Sequence, residues 1–68
     1  MKAPVISGRE MVKILHRKGW IYISQRGSHV KMQHPVSKRQ LVIPLHDPLK
    51  PGIVHQCIVE AGLMDDDF

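Results

Sequence analysis

The sequence has 68 residues, a single cysteine and a formal charge of +4. This length allows one domain with a small core, and a lone cysteine excludes a disulfide within the chain. No apolar run reaches the roughly 20 residues of a membrane span, and the first ten residues lack the pattern of a signal peptide. We therefore expect a soluble, cytoplasmic protein.

The positive charge is concentrated ahead of the C-terminus. Three of the six acidic residues form the run Asp65-Asp66-Asp67. Residues 1–64 hold the other three acids and all ten bases, so their net charge is +7 (ten minus three). We expect 1–64 to be the single domain and 65–68 to be an acidic, solvated tail. A small domain with this charge attracts polyanions, of which nucleic acid is the commonest inside cells.

The first predicted element is a helix that begins after Ser7. Ser7 and Glu10 have the spacing of a capping box, in which each side chain bonds to the backbone amide of the other residue. Gly19 suits the left-handed conformation that often ends a helix. Between them, apolar residues recur at helical spacing: Met11, Val12, Ile14 and Leu15.

Three strands on short turns are predicted next. Residues 20–24 are aromatic and β-branched, which favours a strand, and Arg26-Gly27 is predicted to be the turn. From residue 28, side chains are predicted to alternate between the two faces of a strand. One face would carry Ser28, Val30 and Met32. The other would carry His29, Lys31 and Gln33. Residues 40–43 predict a third strand, which Pro44 ends.

A second helix is predicted to open at Lys50-Pro51-Gly52, because proline suits the first helical turn. Its apolar stripe comprises Val54, Cys57, Ile58 and Ala61. The order α-β-β-β-α predicts an α+β fold, with a three-stranded antiparallel sheet and two helices on one face. This topology resembles the double-stranded-RNA-binding domain, although topology alone does not assign a function.

His29 is the strongest candidate for chemistry among the five histidines. It is predicted to face solvent beside Lys31, on the side of its strand opposite Val30. Imidazole exchanges a proton near neutral pH, and an ammonium group can bind a phosphate. Together they form a minimal ribonuclease site, in which the histidine takes the proton of a ribose 2′-hydroxyl that attacks the adjacent phosphodiester. The alternative is an ordinary surface histidine in a hairpin.

An ordered set of motifs carries a family resemblance from Ser7 to about Leu63. The segments SGRE, GW, GSH, LVIPLH, LKPG and EAGL follow one another as in the HicA toxins, which the chain resembles. These toxins are small mRNA interferases of toxin–antitoxin modules. The resemblance implies a dsRNA-binding-domain-like fold, metal-independent cleavage of mRNA and a HicB-type antitoxin that covers the active face. It also implies that His29, in Gly-Ser-His, is the catalytic histidine.

The chain departs from the family pattern in one loop. The family often has a longer loop with an acidic residue before Leu-Lys-Pro-Gly, where this chain has His46-Asp47-Pro48. Ile53-Val54 also stands where the family often has Thr-Leu. These differences weaken any role assigned to this loop. His46 nevertheless matches the family's histidine after the third strand, where it could orient phosphate, transfer a second proton or be a solvated loop residue.

The positions of the remaining candidates indicate different roles. His34 is predicted to be a turn residue. Trp20 and Tyr22 could stack on bases, although Trp20 is better placed as a core anchor. His29 and His34 are predicted to face opposite sides of a strand, so no metal site is predicted, and no cofactor. Basic or imidazole side chains are predicted to bind RNA at Arg26, Lys31, Lys38, Arg39, His46 and Lys50.

The sequence thus predicts a toxin that cleaves mRNA and uses His29 for proton transfer. Two alternatives stay open: a non-catalytic RNA-binding module of the same fold, and a protein-interaction module whose sheet face meets a partner chain. An open sheet edge also allows a homodimer or a hetero-oligomer with the antitoxin.

Overall fold

A computed structural model describes residues 4–68. The elements in chain order are α1 (Gly8–Arg17), β1 (Ile21–Arg26), β2 (His29–Gln33), β3 (Gln40–Pro44), α2 (Pro51–Ala61) and a short 3₁₀ helix (Asp65–Asp67). The predicted α-β-β-β-α order and the α+β class are confirmed. No helix within residues 4–68 has the length and hydropathy needed to cross a membrane.

Helix α1 begins and ends as its sequence predicts. The Ser7 hydroxyl accepts a hydrogen bond from the Glu10 amide at 3.1 Å, which is one half of the predicted capping box and is typically worth about 1 kcal/mol. The other half, from the Ser7 amide to the Glu10 carboxylate, is not formed among the described residues. Gly19 has a φ of 95°, a conformation that glycine adopts without steric cost. The chain then turns so that the Trp20 amide bonds to the Leu15 carbonyl at 2.9 Å.

The sheet is antiparallel, with β2 between β1 and β3. Arg26 pairs with His29, so the turn is Gly27-Ser28. The sequence had placed it at Arg26-Gly27. Gly27 has a φ of 59° and occupies the first central position of a two-residue hairpin, where a type II′ turn favours glycine. The strand β1 therefore extends to Arg26, which carries this side chain onto the sheet.

Both helices and the sheet contribute to one core. Val30 and Met32 are 2% and 0% exposed, which confirms the predicted inward side of β2. Trp20, at 3%, is the predicted core anchor. By contrast, every residue of β1 is exposed. The buried apolar residues are Met11, Ile14, Leu15, Trp20, Val30, Met32, Leu41, Ile43, Leu49, Val54, Cys57 and Leu63.

The C-terminal segment folds back on the domain. Gly62 ends α2 with a φ of 63°, and Leu63, which is buried, bonds through its amide to the Ile58 carbonyl at 3.0 Å. The Asp67 carboxylate accepts a hydrogen bond from the Met64 amide at 2.7 Å and lies 3.5 Å from the Lys18 ammonium. The backbone bond first, and then the ammonium, hold the pKa of Asp67 below its usual value.

Candidate active site

His29 is the first residue of β2 and lies beside the hairpin turn. It is opposite Arg26 on β1 and opposite Pro44 on β3. Directly opposed residues of antiparallel strands share a face, so the imidazole and the Arg26 guanidinium lie on the same side of the sheet. This is the outer side, because the neighbouring Val30 points into the core. His29 therefore lies at the end of the hairpin with its side chain exposed to solvent, as the sequence predicts.

A shallow cavity of about 290 Å³ surrounds His29 on this outer face. Its lining includes Arg26 and Lys31, so the structure brings three of the predicted site residues together. Ser24 and Val42 complete the lining, and neither was predicted to be a site residue. Ser24 and Val42 are both opposite Lys31 in the sheet. The strand register would have identified them, but it depends on a bulge between Tyr22 and Ser24.

The cavity is basic and holds no acidic side chain among its lining residues. The ion pairs of the described residues 4–68 are Lys18–Asp67 and Arg39–Glu60. Neither involves Arg26 or Lys31. Their charges are therefore available to an external anion, and a guanidinium can contact two phosphate oxygens at once.

His46 lies next to His29 although 17 positions separate them in the sequence (46 minus 29). The two ring centroids are 6.4 Å apart, and the ring planes meet at 72°. The loop that carries His46 is held by its main chain. The Gly8 amide donates to the His46 carbonyl at 2.8 Å, and the Leu45 amide donates to the Ser28 carbonyl at 2.6 Å. The start of α1, the hairpin turn and the β3–α2 loop thus meet at one place.

Gly8 explains how the loop approaches α1 so closely. A Cβ atom at this position would lie 2.1 Å from the Pro44 carbonyl oxygen and 2.8 Å from the Leu45 Cα. Only glycine leaves room for the backbone there. In the sequence, Gly8 belongs to the SGRE motif, and the motif alone does not predict this close approach. The signal was present, since glycine at the start of an otherwise regular helix has a poor helix propensity.

The predicted RNA-binding residues Lys38 and Arg39 lie elsewhere. They belong to the turn between β2 and β3, at the opposite end of β2 from His29. Four residue steps along a strand separate the two ends, which is about 13 Å. The Arg39 guanidinium bonds to the Glu60 carboxylate of α2 at 2.6 Å.

Lys50 is the exposed residue directly before α2. It is not among the residues that line the cavity around His29. The structure thus brings Arg26 and Lys31 into the cavity around His29 and places His46 beside the His29 ring, outside the lining of that cavity. It leaves Lys38 and Arg39 apart from His29.

His34 has a structural role. Its Nδ1 accepts hydrogen bonds from the Val36 and Ser37 amides at 3.2 and 3.3 Å. Its ring meets the Trp20 indole edge to face at 5.5 Å. These contacts shape the β2–β3 turn and confirm the prediction that His34 is a turn residue.

A second groove, of about 340 Å³, lies between α1 and the helix side of β1. Tyr22 and Gln25 line it, and the Tyr22 hydroxyl donates to the Gln25 side-chain carbonyl at 3.0 Å. Arg9 and Lys13 of α1 lie on the other wall. Neither cation was predicted to be a site residue. A half-exposed aromatic ring beside two cations can contact a nucleotide base and its phosphate.

Comparison with known proteins agrees with the motifs. A search of curated proteins found no match to the chain. The family model described as the HicA toxin of bacterial toxin–antitoxin systems matches residues 8–63. That range contains both α-helices, all three strands, His29 and His46. The resemblance drawn from the sequence is confirmed: the chain belongs to the HicA toxin family of bacterial toxin–antitoxin systems.

Proposed function

We propose that this toxin is an endoribonuclease that cleaves mRNA without a metal ion and uses His29 for proton transfer. The observation that carries the proposal is an exposed imidazole in a basic cavity with no acidic lining residue. Arg26 and Lys31 supply the charge that a phosphodiester requires. Membership of a toxin family supplies the biological role, and mRNA is a substrate whose loss stops growth.

The reaction begins when a phosphate of the RNA occupies the cavity. Arg26 and Lys31 bind its non-bridging oxygens and stabilise the charge that grows on them in the transition state. The neutral imidazole of His29 accepts the proton of the ribose 2′-hydroxyl. The 2′-oxygen then attacks phosphorus and the bond to the 5′-oxygen breaks. The 5′-oxygen leaves with the electron pair of that bond and takes up a proton from water or from an acidic group of the protein, so the products are a 2′,3′-cyclic phosphate and a free 5′-hydroxyl.

The experiment compares wild type with His29→Ala in cleavage of end-labelled RNA in the presence of a chelator. General base catalysis contributes about 10²- to 10⁴-fold, so the variant should be slower by that factor and should no longer arrest growth when induced. His55→Ala is the matched control, because His55 is exposed on α2. This variant should cleave RNA as fast as wild type does. Circular dichroism checks that both variants fold.

A folded His29→Ala protein that cleaves as fast as wild type would refute the catalytic assignment. If wild type binds RNA in chelator but leaves it intact, the protein is the non-catalytic RNA-binding module instead. A stoichiometric protein complex without RNA affinity would favour the interaction module.

The proposed partner is a HicB-type antitoxin that covers the outer face of the sheet. Two apolar side chains of that face, Ile21 and Val42, are about half exposed at 47% and 50%. Both lie opposite polar residues of β2, at Gln33 and Lys31. A partner with apolar and acidic groups would complement this face. Adding the protein encoded beside the toxin gene should then stop cleavage in the same assay.

A further inference from the structure

We propose that His46 is a second catalytic residue, the general acid that protonates the leaving 5′-oxygen. This inference rests on the proposed ribonuclease function and deepens it. The observation behind it is the approach of the two rings, with centroids 6.4 Å apart at the junction of the hairpin turn, α1 and the β3–α2 loop.

The chemistry requires two proton transfers at different places. The bond from phosphorus to the 2′-oxygen forms as the bond to the 5′-oxygen breaks, and the electron pair of the broken bond stays on the 5′-oxygen. His29 removes the proton from the 2′-hydroxyl, and protonated His46 gives a proton to the 5′-oxygen. Attacking and leaving oxygens lie roughly in line through phosphorus. A single imidazole on one side therefore cannot reach both.

The spacing of the rings suits this division of work. Among the described residues, the two imidazoles form no hydrogen bond with each other, so the nitrogen atoms of both rings can bond to a substrate. A proton donor or acceptor must come within about 2.6–3.2 Å of its oxygen. With 6.4 Å between the centroids, two such bonds can be made to one phosphodiester. Arg26, directly opposite His29 on β1, can bind the same phosphate from the other side of His29.

Backbone contacts position His46 without using its side chain. Its carbonyl accepts from the Gly8 amide, and the adjacent Leu45 amide donates to the Ser28 carbonyl. The His46 ring itself forms no hydrogen bond to another described side chain or backbone group and is exposed. His34 has no such freedom, because two backbone amides occupy its Nδ1. Hence His46 is the histidine whose ring lies close to His29 and can still bond to a substrate.

The test removes the need for a general acid from the substrate. An RNA that wild type cleaves is synthesised with sulfur in place of the bridging 5′-oxygen at the mapped cleavage position. A thiol has a pKa of about 8.5, so a thiolate leaves without prior protonation, whereas an alkoxide does not. Wild type, His29→Ala, His46→Ala and the control His55→Ala are assayed on both RNAs.

The expected result is specific to the role. His46→Ala should cleave the ordinary RNA about 10²- to 10⁴-fold more slowly than wild type, and should cleave the sulfur-containing RNA at close to the wild-type rate. His29→Ala should be slow on both substrates, because the 2′-hydroxyl still needs a base. Rapid cleavage of the sulfur-containing RNA would also show that His46→Ala is folded.

Two other outcomes would overturn the inference while leaving the ribonuclease function in place. If His46→Ala is equally impaired on both RNAs, the residue binds or orients the phosphate and does not protonate the leaving group. If it cleaves both as wild type does, it has no role in the reaction. A failure of wild type itself to cleave either RNA would instead reject the proposed function, and this inference with it. His46→Gln, which preserves side-chain volume, repeats the comparison should the alanine variant not fold.

Discussion

At the scale of single residues, Gly8 shows how the absence of a side chain positions a candidate site. Its amide holds the His46 carbonyl, and its missing Cβ lets the Pro44–Leu45 backbone approach α1. Interiors are packed closely enough that an added methyl group must displace something. Here the displaced atoms would be backbone, which cannot rotate away as a flexible side chain can.

Gly8→Ala is expected to destabilise the protein by about 1–3 kcal/mol, the usual cost of overpacking. It should also slow RNA cleavage, because the backbone that leads to His46 is pushed away from α1 and the Gly8–His46 hydrogen bond is disturbed. Gly52→Ala is the control, since a Cβ there meets open space in the first turn of α2. It should be neutral, or stabilising by up to about 1 kcal/mol. Urea unfolding and cleavage rates measure both effects, and a Gly8→Ala protein as stable as wild type would contradict the argument.

Residues differ in how far sequence alone could place them. The exposure of His29 to solvent could be predicted from the alternation of side chains along β2, because this alternation is a local property of a strand. The approach of His46 to His29 depends on contacts between the loop, α1 and the hairpin, and no local pattern specifies these. The family motif marked both histidines, but it did not give the 6.4 Å between them.

At the scale of elements, strand length decides which cations can act together. Successive turns of a meander lie at opposite ends of its strands, so charges that are close in sequence separate in space. Lys31 therefore lies in the His29 cavity, while Lys38 lies in the turn at the far end of β2. The separation of Lys31 from Lys38 could have been predicted from the positions of the predicted strands. The pairing of Arg39 with Glu60 could not, because it depends on where α2 packs.

The two ends of β2 should differ in their contribution to RNA binding. Binding is measured in a His29→Ala background, so that the RNA stays intact, as a function of salt concentration. Each phosphate contact to single-stranded RNA adds about 0.7 to the magnitude of the slope of log K against log salt. Lys31→Gln should reduce that magnitude by about this amount, and its matched control Lys38→Gln should leave it unchanged. Equal reductions would mean that RNA extends along the whole strand.

At the scale of the whole molecule, one small core unites the elements. Both α-helices, β2 and β3 bury side chains in it, which is why apolar periodicity was enough to predict the architecture. The C-terminal 3₁₀ helix was not predicted, because its contact with Lys18 joins distant parts of the chain. Cys57 lies in the core, and burial raises the pKa of its thiol to about 11.

Cys57 should therefore report on global unfolding. Raising the pKa of a thiol from its usual 9.0 to about 11 lowers the thiolate fraction at pH 8 by about 10²-fold, and only the thiolate reacts. We expect iodoacetamide to label the native protein at least that much more slowly than the protein in 8 M urea (about the concentration that unfolds a small domain). Mass spectrometry follows the reaction. Equal rates in the two conditions would show that Cys57 is accessible in the native protein.

The exposed strand β1 is the part of the sheet where the sequence can change at the least cost to the fold. None of its six side chains is buried, and its place in the sheet depends on main-chain bonds to β2, which residues other than proline can make. Substitutions along β1 consequently cost the fold little, whereas α1, β2 and β3 are constrained by the core. Apart from Arg26, which the proposed reaction requires, the side chains of β1 can thus change together with the surface of a partner, while the elements that hold the two histidines stay the same.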